Sequence, residues 1–414
     1  MSLFPGPWTI LRRRTGVALA QAPSRTELVR NAASLTPLLK SHASWHEQNR
    51  RLHDETVEAL ADAGAFRLRL PARYGGYEAD ARTAVDVIAE LARGDGSAAW
   101  VAGVNAITTW MAGLLPDEVQ DEVFAEPGTR LCGTLSPTGM CVPADGGVVL
   151  NGKWGFISGA HHARWQVIVA MAPAPDGGFW PIMTVVPMTE LTIVDDWDTS
   201  GLRGTGSVST VAENVFVPQA RILPLPLVLA EQYASAANAN SAVFRAPLLP
   251  TASALSVGTA VGLAAAAREE FFERLPGRKI TYTGYENQHE APLTHLQVAE
   301  ATMLIDEARF HAHRLADLVD AKGAQAIEGA GGAWSPEERV RARADMGRAC
   351  RLSKDAGDVL GQASGGSSIY SDVPIQRITR DLNAIVMHAL MHPDTNDELY
   401  GRVLCGLEPD TLYI

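Results

Sequence analysis

The feature that most constrains the fold of this chain is a change of hydrophobic periodicity that occurs twice along its 414 residues. From about Arg25 to Glu126, apolar residues recur at three- and four-residue spacing, which predicts amphipathic helices. Between Thr129 and about Leu227 the chain consists of short β-branched runs separated by Gly, Pro and Asp, which indicates strands. Helical periodicity returns from about Ala246. This order predicts an α+β chain with an antiparallel β-barrel or sandwich in the middle.

The last region contains long amphipathic segments of the kind that pack as a four-helix bundle. Residues 323–336 form a glycine-rich insert between two of these segments, which we expect to be a mobile loop. In the first region, Gly94 and Gly96 predict a hinge between two helices.

The charge of the chain excludes one class of partner. Its formal net charge of -12 argues against binding to duplex nucleic acid, because phosphate recognition needs a concentrated basic face. A continuous run of about 18 apolar residues is missing, which argues against a membrane span. Three arginines at 12–14 precede an apolar stretch that is too short for a signal peptide. We therefore expect a flexible N-terminal arm over residues 1–24 and a cytoplasmic protein.

The cysteines and histidines do not have the spacing of a disulfide framework or a metal site. Cys132, Cys141, Cys350 and Cys405 contain no paired CxxC motif, so we expect reduced, structural thiols. The adjacent pair at 161–162, and the pair at 388 and 392, lack further ligands at recognisable spacing. We expect no metal.

Two motifs point to a ligand. The stretch Gly201–Pro218, GLRGTGSVSTVAENVFVP, sets glycines around Arg203 and continues into a strand pattern that ends at Pro218. Such a loop allows positive φ and a close approach of the backbone to a planar ligand. About forty residues upstream lies Trp154–Trp165, WGFISGAHHARW.

In this order and at this distance, the two motifs resemble the middle domain of the acyl-CoA dehydrogenase superfamily, whose corresponding segments wrap a flavin ring. Two further segments, PARYGGYEAD at 71–80 and GGSSIYSDVPIQRITRD at 365–381, resemble a loop and a flavin-contacting segment of the family. The resemblance implies an acyl-CoA dehydrogenase-like fold. It divides the chain beyond the arm into an N-terminal α-helical domain (25–128), a middle β-domain (129–235) and a C-terminal four-helix bundle with a tail (236–414).

The catalytic base of the dehydrogenases is missing from its usual place. Tyr370 is followed by Ser371, which cannot remove an α-proton, where the dehydrogenases commonly have Glu. Asp372 is a conceivable substitute. The acidic TEP-like loop of the dehydrogenases is replaced by Thr134–Pro137, TLSP.

Other segments resemble the oxygenase components of two-component flavin monooxygenases, such as 4-hydroxyphenylacetate hydroxylase: FISGAHHARW, RDLNAIVMHAL and the ending YGRVLCGLEPD. In that branch a separate NAD(P)H-flavin reductase supplies reduced flavin, FMNH2 or FADH2, which reacts with O2 to give a C4a-hydroperoxide. The chain has no GxGxxG fingerprint for NAD(P)H, in agreement with a reductase partner. The resemblance also implies a homotetramer.

The resemblance assigns roles by position. Ser158 corresponds to the hydroxyl bonded to flavin N5, and Phe156 to an aromatic residue against the ring. His388 corresponds to an active-site His that donates to the peroxide or acts as a base for the substrate. Asn105 is expected near the distal peroxide oxygen, and Ser136 beside the pyrimidine of the flavin.

Further cofactor contacts are expected from Arg203 and Gly204 of the glycine loop. Arg278 corresponds to the residue that binds the flavin phosphate. Gly365 and Gly366 would let the backbone of a neighbouring subunit approach the cofactor.

The substrate pocket is expected to include Trp100, Trp110, His161 and His162. These aromatic surroundings favour hydroxylation of an aromatic or polyketide-like compound. Three alternatives stay open: an N-hydroxylase of an amine or amino sugar, an acyl-CoA dehydrogenase with a displaced base, and a catalytically inactive binding subunit.

Overall fold

The computed structural model describes residues 22–174 and 177–414 and confirms the order of a helical, a β and a second helical region. Most of the predicted arm, residues 1–24, lies outside the described residues. The first region consists of helices α1 (Arg25–Ser34), α2 (Thr36–Asn49), α3 (Asp54–Asp62), α4 (Ala81–Gly94), α5 (Gly96–Ala112) and α6 (Asp117–Val123).

The predicted hinge between α4 and α5 is a single residue, Asp95. Its carboxylate accepts a hydrogen bond of 2.6 Å from the backbone N–H of Ala98 and so caps the start of α5. Gly94 is required for packing, because a Cβ there would lie 2.6 Å from the Cβ of Leu39 on α2. The two helices therefore meet at a buried, capped corner beside α2.

The middle region forms one sheet whose strand order is β6-β7-β3-β2-β4-β5-β8, with β1 also beside β4. Its strands are β1 (Leu131–Gly133), β2 (Gly139–Ala144), β3 (Gly147–Ile157), β4 (Trp165–Pro173), β5 (Phe179–Pro187), β6 (Thr192–Val194), β7 (Val208–Pro218) and β8 (Leu223–Pro224).

The expectation of a purely antiparallel sheet is wrong along one edge of β4. Both β1 and β2 pair with β4 in the parallel sense, whereas the other strand pairs are antiparallel. The two strands lie one after the other along the same edge of β4, interrupted by residues 134–138. The loop containing Pro137 therefore offsets the chain without reversing it, and the sheet is mixed.

The second helical region follows a short helix, α7 (Leu225–Leu229). It consists of α8 (Leu248–Arg274), α9 (Pro292–Glu328), α10 (Pro336–Ala363), α11 (Pro374–Val386) and α12 (Pro393–Leu404). α8 is long and apolar enough to cross a membrane, but 94% of its most apolar 18-residue window is buried inside the protein. It is therefore the core helix of the bundle. α9 continues through half of the glycine-rich insert and ends before Gly329, where φ is 68°.

Candidate active site

Ser158 lies where three elements meet: the end of β3, the start of β7 and the helix α5. Its Oγ accepts a hydrogen bond of 3.0 Å from Nε1 of Trp100 and lies 2.6 Å from Oγ of Ser207. Ser158 and Trp100 are both buried. Two predicted site residues, Ser158 and Trp100, are therefore in direct contact.

His388 reaches the same place from the other direction. Its ring lies edge-on to Trp100, with centroids 5.3 Å apart. α11 ends at Val386, so His388 lies in the following turn and not on a helix with His392. The backbone N–H of Leu390 donates to Nδ1 at 3.3 Å, which leaves Nε2 to carry the hydrogen of a neutral ring.

His388 as a whole residue is exposed, and its ring packs against Trp100. Burial lowers its pKa to about 4. The side chain is therefore neutral at pH 7, with its hydrogen on Nε2.

A small cavity next to Ser158 is lined by two unsatisfied polar groups. Oδ1 of Asn105 and Nε2 of His162 are buried and have no hydrogen-bond partner among the described residues. Nδ2 of Asn105 donates to the carbonyl of Leu131 at 3.3 Å, which fixes the orientation of the amide. Burial lowers the pKa of His162 to about 4, so its ring is neutral. The cavity is about 10 Å³, so it has room for a molecule no larger than water, which would give these two atoms a hydrogen-bond partner.

Phe156 is the most exposed aromatic residue near the site. Its φ is 62°, a strained value for a residue with a Cβ, and its side chain is 72% exposed. Its ring lies edge-on to Trp197 at 5.9 Å, and Nε1 of Trp197 donates to the carbonyl of Arg203 at 3.1 Å. Trp197 therefore connects Phe156 to the glycine loop.

The glycine loop is shaped by packing more than by backbone freedom. Only Gly206 of its three glycines has a positive φ, of 54°. A Cβ on Gly201 would lie 2.3 Å from the carbonyl of Arg380, and one on Gly204 would lie 2.6 Å from the Cβ of His46. The expected reason for these two glycines is therefore corrected: they allow α11 and α2 to approach the loop.

The guanidinium of Arg203 is used within the protein. It donates to Asp198 at 2.8 Å and, through Nε, to the carbonyl of Glu47 at 3.2 Å. These bonds attach the loop to α2.

A second group of predicted cofactor residues is built from other elements. Arg278 follows α8 and donates to the carbonyl of Ser364, and its Nη1 is buried with no partner among the described residues. Gly365 has a φ of 64°, and space around Gly366 is open. Arg278 and the two glycines are thus neighbours, on segments that carry neither Ser158 nor His388.

Two other predicted residues lie at the edge of the site. Ser136 is exposed on the loop between β1 and β2, where the hydroxyl of Tyr413 donates to the neighbouring carbonyl of Leu135 at 3.3 Å. His161 is exposed and packs near Gly206; burial of part of its ring lowers its pKa.

The expectation that Trp110 lines the substrate pocket is wrong. Its ring is fully buried in the core between the sheet and α6, and Nε1 donates to the carbonyl of Val243 at 2.8 Å. Trp100 and Trp110 are ten residues apart on one helix, which turns their side chains to different faces.

Beneath the glycine loop lies a layer of charged groups that the sequence did not reveal. Oδ1 of Asp381 accepts from the backbone N–H of Leu202 at 2.6 Å, and Oδ2 of Asp95 lies 3.4 Å from Nδ1 of His46. Burial raises the pKa of Asp381 to about 7, and the negative charge of Asp95 acts in the same direction. Burial opposes ionisation of Asp95 too, but His46 and Arg377 outweigh it and lower its pKa.

A cluster of possible metal ligands occurs elsewhere, at His42, His53 and Glu55, whose ligand atoms lie within 4.8 Å of one another. Nδ1 of His53 accepts the backbone N–H of Glu55 at 3.2 Å and caps α3. Its lone pair is thereby used, and Nε2 carries the hydrogen. His42 has partners of its own, with Nδ1 2.9 Å from Oγ1 of Thr56 and Nε2 3.5 Å from the Glu55 carboxylate.

Known proteins resemble the chain along nearly its whole length. The acyl-CoA dehydrogenase N-terminal domain model matches residues 28–124, and the C-terminal domain model matches residues 254–393. The oxygenase component of an FADH(2)-dependent resorcinol hydroxylase from Rhizobium sp. is 31% identical over 400 residues, 95% of this chain and 98% of the relative. The flavin-dependent monooxygenase oxygenase subunit HsaA from Mycobacterium tuberculosis is 34% identical over 390 residues, 92% of this chain and 95% of the relative.

Solved structures agree. XiaF from Streptomyces sp., in complex with FADH2 and glycerol, has a TM-score of 0.86 at 30% identity and covers 94% of this chain and 97% of its own. HsaA from M. tuberculosis also has a TM-score of 0.86 at 30% identity, over 95% of this chain and 100% of its own.

The chain therefore belongs to the acyl-CoA dehydrogenase superfamily and, within it, to the oxygenase components of two-component flavin-dependent monooxygenases. It uses reduced flavin and O2, and membership of a two-component system implies a separate flavin reductase.

The residues present fit a flavin. The exposed ring of Phe156 and the Ser158 hydroxyl suit a planar ring with polar edges, and the unpaired Nη1 of Arg278 suits a phosphate.

Proposed function

We propose that this oxygenase component hydroxylates a phenolic aromatic or polyketide-like compound at the site formed by Ser158, Trp100 and His388. The observation that carries the proposal is the position of Trp100, which donates to Ser158 and packs against His388. One rigid side chain thus positions both groups. Relatives named as resorcinol and p-hydroxyphenylacetate hydroxylases support a phenolic substrate.

In this proposal, reduced flavin, when bound, would supply the chemistry that activates O2 for oxygen transfer. Ser158 holds the hydrogen on flavin N5, and Phe156 packs against the ring. Asn105 and His162 offer polar atoms at the adjacent cavity. The Nε2–H of His388 donates to the oxygen being transferred or to the phenolic oxygen of the substrate. Its low pKa favours a role as donor over a role as base.

We further propose that Arg203 and Gly204 border the ring and that Arg278, Gly365 and Gly366 bind the rest of the flavin. The unpaired Nη1 of Arg278 is suited to a phosphate. The proposal includes, on the resemblance to the family, that Gly365 and Gly366 approach the flavin of a neighbouring subunit.

A homotetramer, also proposed, would bring such a neighbour into place. The long helix α9 exposes an apolar row at three- and seven-residue spacing, with exposed fractions of 58% for Leu293, 70% for Leu296, 60% for Met303 and 60% for Phe310. Such a row on one helix face is typical of a surface that packs against another helix. We place the enzyme in the cytoplasm, beside its reductase.

The test combines the purified protein with a flavin reductase, NADH and O2, and offers resorcinol, p-hydroxyphenylacetate, indole and a primary amine in parallel. Mass spectrometry and peroxide assays measure product and uncoupled turnover. Hydroxylation of the phenols, dependent on the reductase, is expected. Oxygenation of the amine alone would contradict the proposed substrate class. Light scattering on Leu296→Glu and Met303→Glu tests the oligomer, with Arg309→Glu as the control, because Arg309 is exposed on a different face of the same helix.

A further inference from the structure

Three buried hydroxyl groups form a continuous line that ends at Ser158. Oγ1 of Thr205 lies 2.7 Å from Oγ of Ser207, which lies 2.6 Å from Oγ of Ser158. All three residues are buried, with 2%, 5% and 5% of their surface exposed. Thr205 and Ser207 belong to the glycine loop and the start of β7, whereas Ser158 follows β3.

The far end of the line fixes the direction of every hydrogen in it. Oγ1 of Thr205 lies 2.7 Å from the carbonyl oxygen of Leu202, which can only accept. Thr205 must therefore donate its single hydrogen there. It follows that Ser207 donates to Thr205, and that the contact between Ser207 and Ser158 is made by the hydrogen of Ser158.

The near end is fixed by Trp100. Its indole N–H can only donate, so it occupies one lone pair of Ser158 Oγ. Ser158 then has its hydrogen committed to Ser207, one lone pair committed to Trp100, and one lone pair free. Towards any further group, Ser158 is an acceptor and not a donor.

We infer that Thr205 and Ser207 are positioning residues that hold Ser158 as an acceptor, so that the site selects flavin carrying a hydrogen on N5 over oxidised flavin. The inference rests on the proposed placement of Ser158 beside N5. Reduced flavin offers an N5–H to the free lone pair of Ser158. Oxidised flavin has a lone pair at N5, which would face the lone pair of Ser158 without a hydrogen between them.

This polarity suits an oxygenase that receives its cofactor by diffusion. The site would bind the reduced form as it arrives from the reductase and release the oxidised form after turnover. The selectivity would come from residues that do not touch the flavin themselves.

The experiment measures affinities of the intact protein for both redox forms of FMN and FAD. Oxidised flavin is titrated by fluorescence quenching, and reduced flavin by anaerobic absorbance titration. Thr205→Val removes the terminal hydroxyl of the line at nearly constant side-chain volume. Ser207→Ala removes the central hydroxyl. Each change frees the hydrogen of Ser158 to donate to N5 of oxidised flavin.

We expect both variants to bind oxidised flavin more tightly. The dissociation constant for oxidised flavin divided by that for reduced flavin should therefore fall by roughly 2- to 10-fold, the range of one hydrogen bond. Thr205→Ser, which keeps the hydroxyl, should keep the wild-type ratio. Ser209→Ala is the matched control: it deletes a buried hydroxyl on β7 whose backbone bonds to Asp196 and which lies outside the line. General damage to the site would weaken the binding of both redox forms, whereas the inference requires oxidised flavin to bind more tightly.

Two results would overturn the inference in distinguishable ways. If wild-type protein prefers reduced flavin and folded Thr205→Val and Ser207→Ala keep that preference, the hydroxyl line does not set the selectivity, and the proposed function is untouched. If wild-type protein binds neither redox form, or binds both equally, the placement of Ser158 beside N5 fails, and the inference fails with it.

Discussion

Two layers of hydrogen bonds hold the glycine loop of this protein, and they differ in charge. On one side, neutral hydroxyls of Thr205, Ser207 and Ser158 form a line towards the proposed flavin site. On the other side is a buried acidic layer, in which Asp381 of α11 bonds to Leu202 of the loop and Asp95 lies near His46 of α2. A neutral line fixes the direction of its hydrogens at all ordinary pH values, whereas a carboxylate layer changes its charge with pH. The hydroxyl face of the loop is therefore suited to redox chemistry, and the acidic face holds the loop in position.

The largest expected effect comes from the hydroxyl layer. Ser158→Ala removes the acceptor of the N5 hydrogen, so we expect the species formed from reduced flavin and O2 to decay faster by roughly 10²- to 10³-fold, corresponding to about 2.7 to 4 kcal/mol. Stopped-flow absorbance measures its lifetime, and peroxide and product assays measure coupling. Unchanged lifetime and coupling would show that Ser158 is not beside N5.

His388 lies outside both layers and provides the reference for this comparison. Its Nε2–H is expected to act on oxygen transfer, so His388→Phe should lower product yield by about 10²-fold and leave the lifetime of the oxygen-reactive species nearly unchanged. Because the pKa of His388 is lowered to about 4, the wild-type transfer rate should show no histidine titration between pH 5.5 and 7.5. A step near pH 6.5 that disappears in His388→Phe would contradict the neutral donor.

The acidic layer should affect stability more than chemistry. Asp381→Ala leaves the buried N–H of Leu202 without its acceptor, and we expect a loss of about 1–3 kcal/mol in the free energy of unfolding. Asp381→Asn keeps an acceptor oxygen and serves as the matched control, with a smaller loss. Urea denaturation measures both. Equal losses in the two variants would mean that the bond to Leu202 does not stabilise the loop.

The last effect, which develops gradually with pH, separates the two layers. The pKa of Asp381 is raised to about 7 in the folded protein, against about 3.9 when unfolded, so the folded state binds the extra proton. Its stabilising contribution is full below the unfolded pKa and is lost as the pH rises through 7.

Relative to Asp381→Asn, the wild type should therefore lose stability between pH 5 and 7, by at most about 1.4 kcal/mol per pH unit. Thr205→Val, in the neutral layer, should show the same pH slope as the wild type. Parallel curves for the wild type and Asp381→Asn would mean that Asp381 titrates normally.

How much of this the sequence predicted depends on the range of each interaction. Helices and strands followed from periodicity, because a repeat of apolar residues records which face of an element is buried. The sequence located the glycine motif, but the expected reason for two of its glycines, an approach of the backbone to a ligand, was wrong. The atoms that exclude a Cβ at Gly201 and Gly204 belong to α11 and α2. Thr205 and Ser207 stood inside the same motif. A role for their hydroxyls could be inferred only from the tertiary structure, which places Ser158, at the end of another strand, beside Ser207.

The sequence by itself determined the order of helical and β regions, the break between α4 and α5, and the presence of Ser158 and His388 in recognisable motifs. These are local properties, encoded within a few residues. Only the tertiary structure decided that β1 and β2 run parallel to β4, that Trp110 is core, and that Asp381 lies beneath Leu202. The direction of a hydrogen in a line of hydroxyls, and the pKa of a buried carboxyl, are set by groups distant in sequence that folding brings to within about 3 Å.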